Sequence, residues 1–522
     1  MDRMGGTPPH LSVRLAELVG CLSLATGLCT GMPIEHGLRR SLLAVWLGEE
    51  LGLDAAGLSD TYYVALLGTV GCTIEQTLFA KYVKDDIALE AKAVDVDPYD
   101  PISAYAFGLR NFGAGEPPLR RVGKVLSAVM AGGPAEFQTV CRDVAVRIGD
   151  MLNIGRPIQQ AIAQCHELWN GRGGPKGLKA EEIALPARIF RVAADAEIVG
   201  RIEGVESAVD VARRRAGKQY DPRVADRFRD VAGSLFQRLE SEQPWDAALS
   251  AEPAPLRWLS HDEVDAFGRT IANFVDLRSP FTLGHSTGVA RLAEQTAREM
   301  GVSNGEAVAV RRAGFLHDLG RIGVPAGFWN SASPWTAEEW ERAKQHPSLT
   351  ELVLARSNAL GHLGTLAGLH HERLDGSGYR GVPDSFLSVA ARILAAADTY
   401  HAKTEPRPHR PAVGPDAAAD EIQRQAREGR LDGQVVQALL VAAGHRVPSE
   451  TREPPAGLSD REVEVLRLIV RGLSNRQMAE ILFISPKTVG HHVEHIYDKL
   501  GVSTRVGATL FALQHGLVHE NP

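Results

Sequence analysis

The stretch HHERLDGSGYRG (370–381), followed by AARILAAAD (390–398), decides how the chain is organised, because a weaker copy of it occurs earlier. The earlier copy reads CHELWNGRGGPKG (165–177) and then PARIFRVAAD (186–195). In each copy a glycine lies seven positions after a histidine: Gly378 after His371, and Gly173 after His166. A duplicated stretch of this length predicts that the chain contains two copies of one domain.

The duplication extends upstream and predicts the fold class. His285 precedes His317 by 32 residues, and His36 precedes Gly68 by the same interval. Runs rich in Ala, Leu and Arg place apolar residues three and four positions apart, whereas strand-like alternation is scarce. We therefore predict an all-α protein with two tandem helical domains of one type and a small four-helix domain at the end.

Two polar, proline-containing stretches divide the chain into three blocks. They are ESEQPWDAALSAEPAPLR (240–257) and RVPSETREPPAG (446–457), and neither shows apolar periodicity. A chain of 522 residues is also too long for a single core. We predict domains over 1–239, 258–445 and 458–522, with the two stretches as linkers.

Bulk properties indicate a soluble protein of a reducing compartment. The net charge of -7 gives no general attraction to nucleic acid, so any DNA contact must come from a local surface. The chain has five cysteines, an odd number, and no two of them form a Cys-x-x-Cys pair, which indicates a reducing compartment. No signal peptide is recognisable, and Leu18–Ile34 is uncharged but short and diluted by glycine. We expect a buried helix there, no membrane contact and a cytoplasmic location.

Seven metal-binding side chains occur in the second copy. They are five histidines and two aspartates: His285, His317, Asp318, His346, His370, His371 and Asp398. This nitrogen and oxygen set exceeds what one zinc ion needs and suits two octahedral ions such as iron or manganese, with Asp318 as a bridge. Two such ions can activate a water and neutralise phosphoryl oxygens, which is the chemistry of phosphodiester cleavage.

Residues 258–445 resemble the HD-GYP phosphohydrolases through these residues. The resemblance implies that the family's metal ligands are the same seven side chains and that Asp318 belongs to the catalytic centre. It also implies a substrate among the cyclic dinucleotides, chiefly cyclic di-GMP, and a site for two or three iron or manganese ions. Arg373, within HHER, is a candidate phosphate or guanine contact, or else one half of a solvated ion pair.

Several positions depart from the family pattern. Arg321 stands where the family has a lysine that touches the scissile phosphate, and Arg380 replaces the proline of GYP. His401 and His409 replace an aspartate and a tyrosine, and Phe281 replaces the glutamate of trinuclear members. We therefore expect two metal ions rather than three. The departures leave open an enzyme, a non-catalytic ligand sensor and a phosphohydrolase of another phosphate ester.

The first copy has lost most of this set. Its tandem His-Asp has become Gly68-Thr69, and Cys165 replaces the first of the paired histidines. Of the ligand set, His36, His166 and Asp195 remain. We expect this copy to be metal-free and catalytically silent, with a sensory or packing role. The glycine-rich segment 171–177 lacks the features of a phosphate loop and is expected to be a turn.

The last block has the pattern of a small DNA-binding domain. LSDREVEVL (458–466), GLSNRQMAEIL (472–482) and ISPKTVGHHVEHIYDKLGVSTR (484–505) each place a serine before a run with one apolar face. These motifs resemble the LuxR-type helix-turn-helix, which implies double-stranded DNA as a partner and entry of the third helix into the major groove. The candidate DNA contacts are Ser485, Lys487, Thr488, His491, His492 and His495.

Charge limits how tightly one such domain can bind DNA. Residues 458–522 contain equal numbers of basic and acidic side chains, so the counterion-release contribution is weak. We expect a homodimer, a ligand-dependent state, or both. The alternative is a helical protein-interaction module. Taken together, the blocks predict a transcription regulator in which a phosphodiester ligand of the second block changes DNA binding by the last.

Overall fold

The computed structural model confirms the predicted all-α class. The residues that it describes are 13–93, 101–113, 116–130, 133–444, 455–515 and 517. Among them, the strands are the two-residue β1 (Val13–Arg14) and β2 (Trp258–Leu259), which pair antiparallel. Most of the predicted linker 446–457 lies outside the described residues.

The first half contains thirteen helices in its described part. They are α1 Leu15–Gly27, α2 His36–Glu50, α3 Ala55–Leu67, α4 Cys72–Phe79, α5 Asp86–Ala93, α6 Pro101–Asn111, α7 Pro118–Met130, α8 Gly133–Met151, α9 Arg156–Ile162, α10 Leu185–Glu203, α11 Val205–Arg215, α12 Pro222–Ser241 and α13 Pro244–Ser250. Large apolar side chains of these helices, such as Trp46, Tyr62 and Phe228, are almost fully buried and form the core of this half.

The second half and the C-terminal domain contain the remaining described helices. They are α14 His261–Asp276, α15 His285–Glu299, α16 Asn304–Leu316, α17 Ala326–Trp329, α18 Ala337–Ala343, α19 His346–Leu354, α20 Gly361–Ala367, α21 Val389–Thr404, α22 Pro415–Arg427, α23 Gly433–Gly444, α24 Asp460–Val470, α25 Asn475–Leu482, α26 Pro486–Leu500 and α27 Arg505–Gln514. A short 3-10 helix, Leu319–Gly323, follows α16.

The duplication is visible in the helix boundaries. Helices α15 and α16 begin and end 249 positions after α2 and α3, and α20 begins and ends 205 positions after α9. The difference between the two offsets corresponds to an insertion in the first half that includes α5, α6 and α7. The insertion has a small apolar cluster of its own around Tyr82 and Phe112. Both halves therefore share one helical framework.

The two halves pack against each other through one continuous apolar core. Residues 240–257, which the sequence predicts to be a linker, contain α13 and contribute to this core. Trp245 of α13 is buried, and its ring lies where a side chain at Gly20 would have to be. The uncharged segment near residues 18–34 includes most of α1, which is buried as predicted.

The C-terminal domain consists of α24, α25, α26 and α27. Ser459, Ser474 and Ser485 cap the first three helices as predicted, and each hydroxyl accepts a hydrogen bond from a backbone N–H three residues later. Such caps stabilise a helix by roughly 1 kcal/mol each. Apolar side chains including Leu466, Met478 and Ile496 form the domain's core.

No helix among the described residues combines the length and the apolar character that crossing a membrane requires.

Candidate metal centre

The seven predicted side chains come together because most of them lie at helix ends that face one point. His285 is the first residue of α15 and follows Gly284, whose left-handed backbone (φ of 79°) favours glycine. His317 caps the C-terminal end of α16, and Asp318 follows it. His346 is the first residue of α19, and Asp398 lies within α21.

Three imidazoles are oriented in the same way. Nδ1 of His317, His346 and His370 each donates a hydrogen bond to the backbone carbonyl three residues earlier, at 2.8, 2.7 and 2.7 Å. This bond holds the ring and directs Nε2 toward the centre, an arrangement typical of metal-binding histidines. Nε2 of His346 lies 3.1 Å from that of His370.

The two oxygens of Asp318 face different pairs of histidines. Oδ1 lies 3.3 Å from Nε2 of His346 and 3.7 Å from Nε2 of His370. Oδ2 lies 3.5 Å from Nε2 of His317 and 3.8 Å from Nε2 of His285. A carboxylate between two imidazole pairs has the geometry of a bridge between two cations.

Asp398 completes the ring of ligands opposite Asp318. Its Oδ1 lies 3.2 Å from Nε2 of His285, and its Oδ2 lies 3.5 Å from Nδ1 of His371. The ring of His371 packs against that of Tyr379, with centroids 4.3 Å apart. His371 is the most exposed of the seven side chains at 21%, whereas the others are at 7% or less. The centre therefore opens toward His371 and Tyr379.

Most protonation states at the centre suit metal ions, and His285 is the exception: burial opposes its charged form, but Glu405 and Asp398 raise its pKa to about 10. Burial lowers the pKa of His317, and it lowers the pKa of His370 to about 3, so both imidazoles are neutral. Burial opposes ionisation of Asp318, but the charge of Arg321, together with a hydrogen bond from His346, holds its pKa well below the usual value. Neutral imidazoles and ionised carboxylates are the forms that bind divalent cations.

One observation tests whether a metal ion fits. Nε2 of His317 is fully buried and makes no hydrogen bond. A buried nitrogen lone pair without a partner is costly unless it binds a cation or water. The seven side chains therefore fit a pair of divalent ions, and their role as ligands stays a prediction.

Arg321 lies in the centre but is already engaged. Its Nη1 donates to Oδ2 of Asp318 at 2.8 Å, and its guanidinium carbon lies 4.0 Å from the centre of the Trp329 ring. Arg321 is thus within reach of the predicted metal ligands, although one of its donors is bound to Asp318.

Arg373, the other candidate phosphate contact, lies beside the predicted ligands, since its Nη1 is 3.4 Å from the carbonyl oxygen of His370. Arg373 donates to the carbonyl of Glu372 at 2.7 Å and to the hydroxyl of Thr399 at 3.0 Å, so it holds the HHER turn against α21. Arg380 pairs with Glu351 at 2.6 Å, which neutralises the cation that this departure adds. His409 is exposed.

Sequence reasoning missed Glu405 as a member of the centre. Its Oε2 accepts from Nδ1 of His285 at 2.9 Å, and its Oε1 lies 3.1 Å from Nδ1 of His401. Burial opposes ionisation of Glu405, but the charges of both histidines hold its pKa well below the usual value. The only available signal was its position one residue after α21, seven residues beyond Asp398.

The corresponding point of the first half has different chemistry. The guanidinium of the buried Arg40 donates to the carbonyl of Ala65 at 2.8 Å and to the hydroxyl of Thr69 at 3.1 Å. Thr69 occupies the position of Asp318, so a buried guanidinium in the first half lies where the second half has a carboxylate. Asp195 lies on α10 one position beyond the counterpart of Asp398, and it is bound by Arg191, Arg215 and the Tyr220 hydroxyl. His36 is paired with Glu197.

The predicted DNA contacts lie on one helix of the C-terminal domain. Lys487, Thr488, His491 and His495 of α26 are exposed, and His492 is half-buried. The hydroxyl of Ser485 accepts from the backbone N–H of Thr488 at 3.1 Å, so its first role is to cap the helix. Lys499, on the same helix, instead donates to Glu462 at 2.7 Å.

Two family models match the chain. One, described as HD domain, matches residues 145–224 and 269–435. The other, described as bacterial regulatory proteins of the luxR family, matches residues 456–512. The HD matches fall in both halves, in agreement with the duplication.

Several of the known proteins that resemble this chain in sequence are phosphodiesterases. The chain is 29% identical over 420 residues to 3'3'-cGAMP-specific phosphodiesterase 3 of Vibrio cholerae, a match that covers 77% of this chain and 89% of that protein. It is 35% identical over 169 residues to a cyclic di-GMP phosphodiesterase of Thermotoga maritima, covering 32% and 45% of the two chains. A crystal structure of a cyclic GMP-AMP specific phosphodiesterase from V. cholerae matches with a TM-score of 0.57 at 23% identity, over 84% of this chain and 99% of that one. The structural match shows a shared fold.

Proposed function

Because the chain joins HD-type domains of the HD-GYP class to a luxR-family DNA-binding domain, we propose that it is a transcription regulator whose second half binds two divalent metal ions, iron or manganese, and hydrolyses a cyclic dinucleotide. The first half has no comparable set of carboxylates and imidazoles among its described residues. Hydrolysis is therefore assigned to the second half alone.

The arrangement around Asp318 carries this proposal. Each of its oxygens faces its own pair of imidazoles, and Asp398 closes the ring on the opposite side. The seven side chains together offer five nitrogen and four oxygen donors, which is more than one octahedral ion accepts. Two ions bound here would polarise the phosphoryl group and lower the pKa of a water molecule.

The residues of the chain would orient the substrate. The side of the centre that includes His371 and Tyr379 is the more exposed one, so a phosphodiester would approach from there. Arg321 lies beside Asp318 and can donate to a phosphoryl oxygen with the guanidinium nitrogens that do not bind the carboxylate. The ring of Trp329 holds this guanidinium in place.

The similar proteins indicate the substrate class. Their names specify 3'3'-cGAMP in one case and cyclic di-GMP in the other. Both compounds contain two phosphodiester bonds in a ring of two purine nucleotides. We propose a cyclic dinucleotide of this kind, and a direct comparison of the two compounds as substrates would identify the preferred one.

Hydrolysis by the purified full-length chain tests the enzymatic proposal. With manganese or iron(II), the protein should convert a cyclic dinucleotide to its linear product, and Asp318→Asn should abolish turnover. Asp420→Asn, on the exposed side of α22, is the matched control and should keep full activity. Metal-dependent binding without any product in the unsubstituted protein would contradict hydrolysis.

The contact between Arg321 and Asp318 favours one alternative, a non-catalytic ligand sensor. An arginine bound to the bridging carboxylate competes with metal ions for the same oxygen. In a sensor, tight binding of the cyclic dinucleotide would occur with no product, and DNA binding would still respond to it. A screen of other phosphate esters would identify a different substrate.

DNA binding by α26 gives a second test. Lys487→Ala should weaken binding to double-stranded DNA roughly tenfold and reduce the salt dependence by about one ion. Lys499→Ala is the matched control, because this lysine is directed into the domain toward Glu462. We propose that the protein binds DNA as a homodimer, which sedimentation of the DNA complex would show. Equal effects of the two substitutions would contradict the role of the exposed face of α26.

Two contacts could transmit the state of the metal centre to the DNA-binding domain. Leu283, two residues before His285, packs against the apolar core of that domain. On the first half, Arg147 of α8 donates to the carbonyl of Leu500, the last residue of α26, at 2.8 Å. A ligand that shifts the turn before His285 would therefore displace the end of the proposed DNA-contacting helix.

A further inference from the structure

A second group of metal-binding side chains lies in the first half. Cys72, Cys141 and His166 each offer a ligand atom, and these atoms all lie within 4.8 Å of one another. The Sγ atoms of the two cysteines are 3.2 Å apart. Cys141 is buried, and the other two residues are half-buried. The three residues are far apart in sequence, and α4, α8 and the turn after α9 bring them together.

The duplicated framework shows which positions these residues occupy. A side-chain carbon at Gly71 would lie 2.0 Å from the carbonyl oxygen of Cys141, and one at Gly320 would lie 2.0 Å from that of His346. These matched close approaches place Cys141 at the position of His346. By the same framework, His166 corresponds to His371 and Cys72 to Arg321.

The group therefore occupies the part of the first half that corresponds to one of the two metal positions of the second half. The other position has been lost, because Arg40 lies against Thr69 there and Asp195 is neutralised by two arginines. A fixed guanidinium excludes a cation from its immediate surroundings. One ion fits this half, whereas two do not.

We propose that Cys72, Cys141 and His166 bind a single soft divalent metal ion, with zinc as the preferred one. Two thiolates and one imidazole are typical ligands of zinc, and soft sulfur donors discriminate against the iron or manganese of an oxygen-rich site. Three protein ligands leave one tetrahedral position for water or a small ligand. The proposal replaces the expectation that the first copy is metal-free.

The separation of the sulfur atoms agrees with a shared ion. Two sulfurs at about 2.3 Å from one tetrahedral zinc lie about 3.8 Å apart, whereas the sulfurs of a disulfide lie about 2.05 Å apart. The observed 3.2 Å is nearer to the first value. Cys72 is also the first residue of α4, where the helix dipole favours the thiolate form.

The position of Cys141 connects this group to the DNA-binding domain. Its neighbours on α8, Arg142 and Asp143, contact the hydroxyl of Ser503 at 2.7 and 2.9 Å. Ser503 lies in the turn between α26 and α27. An ion bound to Cys141 would thus hold the helix against which the DNA-binding domain packs.

Cobalt(II) titration of the metal-depleted, reduced full-length protein tests the proposal. All five cysteines of the chain lie in the first half, so an absorption band from thiolate-to-cobalt charge transfer reports on this half alone. We expect the band to saturate at one equivalent and to disappear when zinc is added. Cys72→Ser and Cys141→Ser should each remove most of the band, and His166→Gln should weaken and shift it.

Two controls separate this site from the other features of the protein. Cys21→Ala changes a buried cysteine whose Sγ lies near the carbonyl of Val353, and it should leave the band intact. Asp318→Asn should also leave it intact, so failure of the second-half site would not affect this test. Circular dichroism of each variant shows whether it is folded. Absence of the band in the reduced unsubstituted protein, or its persistence in both cysteine variants, would overturn the proposal.

Discussion

The two halves of the molecule use one helical framework for opposite electrostatic purposes. In the second half, Asp318 and Asp398 direct carboxylate oxygens at a group of imidazoles. In the first half, Arg40 lies against Thr69, the counterpart of Asp318, and Asp195 is bound by two arginines. Helices α2 and α15 nevertheless have the same length and the same place in the order of elements. The fold therefore depends on apolar packing, and the chemistry at its centre changes without altering it.

The largest expected difference concerns one aspartate of each half, Asp398 of α21 and Asp195, which lies one position beyond its counterpart on α10. Asp398→Asn should remove bound metal and reduce hydrolysis on the order of 10³-fold, because one carboxylate charge leaves the ring of ligands. Asp195→Asn should leave metal content and hydrolysis of the second half unchanged. It should instead lower the free energy of unfolding by about 3 kcal/mol, because Arg191 and Arg215 lose their buried partner. Metal analysis, initial rates and chemical denaturation measure these effects.

Asp195 also predicts how the stability of the protein changes in acid. Burial opposes ionisation of Asp195, but Arg191 and Arg215 lower its pKa below the usual value. The folded state thus binds this proton less tightly than the unfolded chain does. The stabilisation by Asp195 is complete above the unfolded pKa and is lost as the pH falls through the folded pKa. Asp195→Asn should flatten the acid limb of the stability curve, and an unchanged limb would contradict the ion-pair assignment.

A smaller effect is expected at Arg321, which corresponds to Cys72 of the first half. Arg321→Lys should raise the rate of hydrolysis about fivefold. A planar guanidinium can stack on Trp329 and hold Asp318 at the same time, whereas a lysine cannot, so the substitution frees the Asp318 oxygen to bind metal ions. Arg342→Lys is a suitable control, since this arginine also lies over an aromatic ring, that of Phe328. A tenfold loss in Arg321→Lys would mean that the guanidinium itself makes the essential phosphate contact.

The smallest effect is expected in the glycine-rich turn. Pro175 of the first half occupies the position of Arg380 in the second. Arg380→Pro removes a hydrogen bond from the backbone N–H to Glu372 and a partly exposed ion pair with Glu351. The variant should lose about 1 kcal/mol of stability, while hydrolysis changes less than threefold. Thermal denaturation and initial rates check this, with Glu351→Gln as the control for the ion pair.

Much of this structure could be predicted from sequence because the informative residues recur at fixed spacings. The two copies, the all-α class and the three serine caps of the C-terminal domain are confirmed. The gathering of the seven side chains is implied by the resemblance to the HD-GYP phosphohydrolases, and the structure brings them together. Helix α13 was not predicted, since its short run of small residues and a single tryptophan lacks periodicity.

The remaining features of the sites depend on tertiary contacts. Glu405 joins the centre because α21 ends beside α15, which no local pattern indicates. Cys72 and Cys141 are separated by the insertion of the first half, so no fixed spacing relates them. Arg40 follows Arg39 in α2, and only the folded structure shows that Arg40 is buried beside Thr69, the counterpart of Asp318.

Electron paramagnetic resonance of the manganese-loaded full-length protein tests the central claim most directly. If Asp318 bridges two ions, the spectrum should show a spin-coupled manganese pair, and Asp318→Asn should abolish the coupled signal. The exposed Asp420→Asn control should retain it. A spectrum of isolated, uncoupled manganese in the unsubstituted protein would contradict the two-metal centre.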